Sequence, residues 1–212
     1  EMAREVHNDE AIQQAAADKA PAGEGVSVFV PRKPFDPATS QQVLDFIYER
    51  LAGLLREQGY SAQEVDAVLS RRPQHLAGVA ARLAAVRAFS ALPEAAALAA
   101  ANKRVSNILK KAGPSVTDDA NVDPALLREP AEQALAAALA EARPKADAAF
   151  EQGDYTASLQ ALAALRAPVD AFFADVMVNA DDPALKANRL ALLAALHAAM
   201  NRVADLSRLQ SA

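Results

Sequence analysis

Cysteine and tryptophan are absent from this sequence, and glycine is scarce, with seven in 212 residues. Without cysteine there is no disulfide, no thiolate metal site and no cysteine nucleophile, as expected of a chain kept in a reducing cytosol. Few glycines and few β-branched runs argue against sheets and for an all-α helical bundle. No apolar stretch is long enough to span a bilayer, and no signal peptide is visible. A soluble, cytoplasmic protein that does not contact a membrane is expected.

Catalytic signatures are missing too. There is no Gly-Lys-Ser phosphate loop, and Gly23 and Gly25 lack the strand–turn–helix context of a dinucleotide fingerprint. His7, His75 and His197 are scattered, with no carboxylate or second histidine at ligand spacing on one helical face. Asp181-Asp182 is explained by a helix N-terminus. No catalytic residue and no metal ligand is assigned.

What the chain does have is 52 % hydrophobic residues, many of them alanine. Alanine favours helix and buries little area per residue, so closely packed helices of modest stability are expected. Residues 1–40 read as a polar segment (Glu1–Ala20) and a proline-rich linker (Pro21–Pro37) around Val26–Val30, which suits a short strand or a tether. Residues 41–212 read as the helical domain. Its first helix is expected from Thr39 or Ser40 to Gly59, with Val43, Ile47, Leu51, Leu54 and Leu55 as its apolar stripe. Ser61 and Glu64 form a capping box for a short helix through Leu69. Leu76–Ala91 is the third helix, facing inward through Val79, Leu83, Val86 and Phe89. Pro93 suits the first turn of the fourth helix, which Gly113-Pro114 closes.

Ser115–Arg128 reads as a loop. Pro130–Gly153 is helical, with Pro144 expected to kink or split it. Asp154 caps the next helix, which Pro168 should bend. Asp182-Pro183 opens a long last helix through about Leu209. Gly153–Leu159 resembles one tetratricopeptide hairpin, but no second copy follows at the required period.

The fourth helix contains the most informative stretch, Ala101–Lys111. At 100° per residue, Leu98, Val105, Ile108 and Leu109 fall on one side. Lys103, Arg104, Ser106, Asn107, Lys110 and Lys111 fall on the other, with no acid among them. From Ala67 to Thr117 the only acid is Glu94, against eight cations that include Arg71 and Arg72. The chain as a whole is acidic, at −5. Such segregation suits a polyanion, because phosphates respond to a local patch. It equally suits a solvated helix face with no partner. Lys103, Arg104, Lys110, Lys111, Arg71 and Arg72 are candidate phosphate anchors, and Asn107 a candidate base reader. His75, beside the two arginines, could touch RNA, and Tyr48, Tyr60 and Phe89 could stack, although Phe89 better suits the core. Asn102 suits a bond to backbone or a neighbouring helix, and His197 a packing role.

Ala101–Leu109, preceded by Pro93–Ala100, resembles the β-subunit family of bacterial two-gene glycyl-tRNA synthetases. Asp45–Leu51, Pro168–Val178, Asn188–Leu193 and Arg202–Gln210 resemble the same family in the same order, from about residue 41 onward. The resemblance implies an all-helical anticodon-binding domain of the DALR type, related to the one that ends arginyl-tRNA synthetases. It implies the anticodon arm of glycine tRNA and a synthetase α subunit (α2β2) as partners. By the same resemblance, ATP and magnesium would act on the α subunit, and this region would bind without catalysing. An arginyl-type anticodon domain and a helical protein–protein module are the alternatives.

Overall fold

The computed structural model describes residues 37–113 and 121–209. The expectations for Glu1–Ala20 and Val26–Val30, and for residues 115–120 of the Ser115–Arg128 loop, lie outside the described residues. The chain divides into two units, Glu1–Ser40 and Gln41–Ala212. Among the described residues every regular element is helical: α1 (Pro37–Glu57), α2 (Ala62–Leu69), α3 (Val79–Ser90), α4 (Ala95–Ala112), α5 (Pro130–Glu151), α6 (Tyr155–Ala161), α7 (Arg166–Asp175) and α8 (Pro183–Met200). Short 3-10 turns at Leu76–Gly78, Pro124–Leu126, Leu162–Leu165 and Leu206–Leu209 link or end them.

Local chemistry sets most boundaries. Ser61 Oγ accepts from the Glu64 amide at 3.1 Å, and Glu64 accepts from the Ser61 amide at 2.7 Å, so the capping box forms. Before it, Gly59 takes φ of +88°, a left-handed step that closes α1 and that a side chain would resist. Asp154 accepts from the Ala157 amide and Asp182 from the Ala184 amide, which starts α6 and α8. Pro183 occupies the first turn of α8, where no N–H is needed.

One apolar core joins the helices. α5 packs against α6, α7 and α8, whereas α4 packs against α7, α8 and the Leu206–Leu209 turn. Val79, Leu83, Val86 and Phe89 of α3 are all buried, as the periodicity requires. Phe172 and Leu193 sit at the centre with no exposure. The C-terminal segment is tied to α2 by the Asp205 amide, which donates to the Ala67 carbonyl at 2.8 Å.

Five expectations change. Pro93 lies before α4, whose first residue is Ala95 after Glu94, and not in its first turn. The α1 stripe is only partly buried: Leu55 is in the core, while Val43, Ile47 and Leu54 are exposed, Leu54 by half. α1 meets the core through Tyr48, Leu51, Ala52 and Leu55, and no described residue covers the rest of the stripe. Pro144 does not split α5, which continues to Glu151. The proline is exposed, and the carbonyl it deprives belongs to exposed Ala140, where water can replace the lost bond. Pro168 does not bend one long helix either. The chain breaks at Leu162–Leu165, and Pro168 falls within the first turn of α7.

The last helix ends at Met200, not near Leu209. Asn201 stops it. Its side-chain amide and its backbone N–H both donate to the His197 carbonyl, at 2.8 and 3.1 Å. Asn201 also exchanges two bonds with Asn102 of α4, at 2.9 and 3.0 Å, and both amides are buried. A buried amide pair of this kind loses its bonds if either helix slides, so it fixes the register of α4 against α8.

Candidate nucleic-acid interface

α4 is oriented as its pattern requires. Leu98, Asn102 and Val105 are buried, Ile108 and Leu109 are half-buried, and Lys103, Arg104, Asn107, Lys110 and Lys111 are exposed. Ser106 turns inward and lies 3.0 Å from His197 Nε2, so neither side chain belongs to the outer face. Gly113 closes the helix at φ +89°. None of Lys103, Arg104, Lys110 and Lys111 forms an ion pair with a described carboxylate. Lys110 and Lys111 also suit the negative end of the helix, a purely local benefit.

The other cations of the basic segment have different fates. Arg82 donates to the Arg202 and Val203 carbonyls, at 3.2 and 2.7 Å, and stacks on Phe150 and Tyr155. Arg87 pairs with Glu64 and stacks on Tyr60 at 4.4 Å. Arg72 pairs with Asp45 of α1 at 2.5 Å and lies over Tyr48, whose hydroxyl donates to the Pro73 carbonyl. Tyr48 and Tyr60 thus already serve arginines, and Phe89 is core. Arg71 and His75 are exposed on the same turn, which is bonded to α1. The structure therefore gathers the α4 candidates on one face and puts Arg71 and Arg72 on a separate feature.

It also adds a cation that the sequence did not single out. Lys186, exposed on the first turn of α8, lines one cleft of about 260 Å³ together with Lys111 and Ile108 of α4 and Val178. A lone lysine just after a helix cap gives no sequence signal, since its neighbour is set by packing between helices far apart in the chain.

That packing rests on buried polar contacts. Glu132, at the start of α5 and fully buried, pairs with Arg189 of α8 and accepts from the Arg128 and Glu129 amides at 2.7 and 2.8 Å. Burial works against its charge. The Arg189 hydrogen bond and the two amides outweigh it, and hold the carboxyl below its ordinary range. Arg189 further donates to the Met177 carbonyl at 2.8 Å. One residue earlier, Asn188 exchanges bonds with the backbone of Asp123, at 2.7 and 3.0 Å. Lys186 is thus carried on a rigid base.

Chemically, this face offers several unpaired cations and the exposed amides of Asn107 and Asn179, which suits a phosphate backbone with accessible base edges. Among the described residues no group of three His, Asp or Glu side chains is placed to hold a metal ion, and no single helix is long and apolar enough to cross a membrane. Residues 98–206, from within α4 to the final turn, match the DALR anticodon binding domain. The chain belongs to this DALR family. Its DALR match takes in α4 from Leu98 onward with α7 and α8, and excludes Arg71 and Arg72. The chain is 70 % identical over 174 residues to the glycine–tRNA ligase beta subunit of Dechloromonas aromatica (strain RCB), covering 82 % of this chain and 24 % of that protein. For the protein of the same name from Leptothrix cholodnii the figures are 71 % over 167 residues, 79 % and 23 %. For that of Methylobacillus flagellatus they are 65 % over 176 residues, 82 % and 25 %. The chain spans about a quarter of the length of the curated relatives it matches.

Proposed function

We propose that this DALR domain binds the anticodon arm of glycine tRNA as part of a glycine–tRNA ligase β subunit, in support of ATP-dependent attachment of glycine. The observation that carries the reading is the α4 face, where four cations without a described carboxylate partner flank exposed Asn107 inside the family match. Lys103, Arg104, Lys110 and Lys111 hold phosphates, joined by Lys186, and Asn107 reads a base edge. Arg71, and Arg72 within its pair to Asp45, serve as outlying contacts. The enzyme acts in the cytoplasm with an α subunit, which holds ATP and magnesium, and no activation step is assigned to this chain. Residues 41–212 form the binding module, and residues 1–40 connect it to other parts of the subunit.

Filter binding of the full chain to glycine tRNA tests this. Affinity should fall steeply between about 50 and 200 mM salt, as phosphate contacts require, and an anticodon-swapped tRNA should bind more weakly. Salt-insensitive binding, or equal affinity for the two RNAs, would overturn the reading.

A further inference from the structure

Between α4 and α7 lies a shallow groove of about 410 Å³. Ala97, Ala100 and Ala101 of α4 and Ala174 of α7 line it with methyl groups. Its larger side chains are Arg104, Phe173 and Asp170. The Arg104 guanidinium lies over the Phe173 ring, 4.1 Å from the centroid. Phe173 is in turn held edge-on against buried Phe172, at 5.6 Å between centroids. The stack is therefore anchored in the core.

Most other arginine–aromatic pairs of the fold also bond an acid or a carbonyl, as Arg72, Arg82, Arg87 and Arg202 do. Arg104 has no such bond among the described residues, so its N–H donors and the plane facing away from Phe173 are open to a ligand. A guanidinium fixed on an aromatic ring is a stacking surface for an unpaired base. The groove favours a base over a phosphate: apart from Arg104 its lining is four alanines, Phe173 and Asp170, which already pairs with Arg166 at 3.7 Å, and the alanines leave room for a flat ring. The basic face of α4 is continuous with it, so a strand whose phosphates follow that face comes within reach.

We infer that the Arg104–Phe173 stack between α4 and α7 is the seat of one unstacked nucleobase of the bound RNA. This rests on the RNA-binding reading above. Arg104 then does more than neutralise charge, and Phe173, unremarked in the sequence, becomes a positioning residue beneath it.

The test uses the full chain and an anticodon stem-loop of glycine tRNA with abasic nucleotides placed one at a time through the loop. At one position the abasic change should weaken wild-type binding about 5- to 150-fold, the range of one base–aromatic stack. The same change should cost Arg104→Lys nothing further. Arg104→Lys should bind the intact loop as weakly as wild type binds the abasic one, with an unaltered salt slope because the charge remains. Phe173→Leu should behave alike. If it loses its fold by circular dichroism, the exposed Arg104→Lys variant decides alone. Wild-type affinity in Arg104→Lys, or a loss that persists at every abasic position, overturns the inference while leaving the RNA face standing. An intact stem-loop bound by wild type without salt dependence would remove both.

Discussion

Glu64 closes the capping box of α2 and also receives two N–H groups of Arg87 from α3, at 2.8 and 2.9 Å. The Arg87 hydrogen bond, against the cost of desolvation and with help from Ser61, lowers its pKa from 4.5 to about 2. As pH falls, the unfolded chain therefore takes up this proton before the folded one does. The resulting stability is complete above about pH 4.5 and is lost as pH falls towards 2. Arg87 is half exposed, so solvent screens the pair, and about 1–2 kcal/mol is a reasonable size. Glu64→Gln should lower urea-unfolding stability by that amount at pH 7, and the gap to wild type should narrow progressively below pH 4.5. A gap constant down to pH 2.5 would mean that the pair contributes nothing through its charge. Ser61 and Glu64 were legible as a box from their spacing alone. Arg87 was not, because its side chain reaches them from a different helix.

Helix α4 is the element where sequence and structure agree most closely, since a 3.6-residue period fixes which side chains can be buried together. Changing Lys103, Lys110 and Lys111 together to alanine should leave the circular dichroism spectrum intact. It should weaken binding of glycine tRNA and lower the log–log salt slope by about 2–3. Asn107→Ala is the control, because it removes no charge and should leave that slope where it is. An unchanged affinity and slope in the triple variant would reduce the lysines to solvating groups at a helix end. The periodicity could not place α4 against its neighbours. Ser106 looks like an outer-face residue on a helical wheel, yet it meets His197, whereas Asn102, at the boundary and suited to bond a neighbouring helix, does pair with Asn201. For α1 the opposite error occurs. Its stripe is a sound helix signal, but among the described residues nothing covers Val43, Ile47 and Leu54.

At the scale of the molecule, the fold class followed from composition: abundant alanine, little glycine and well-placed caps leave helices as the consistent outcome. The assembly of the surface did not. Lys186 comes to Lys111, and Phe173 to Arg104, through contacts between α4, α7 and α8 that no local pattern records. Among the described residues of this acidic chain, Lys103, Arg104, Lys110 and Lys111 gather on one side of α4 without a carboxylate partner, a distribution that under the proposed function would direct an RNA to that face. The central claim is that this face holds an anticodon arm. Hydroxyl-radical footprinting of glycine tRNA with saturating full chain tests it most directly. Protection confined to the anticodon stem and loop, and lost in the Lys103, Lys110 and Lys111 triple variant, is the predicted result. Protection of the acceptor stem instead, or a footprint that the triple variant retains in full, would contradict it.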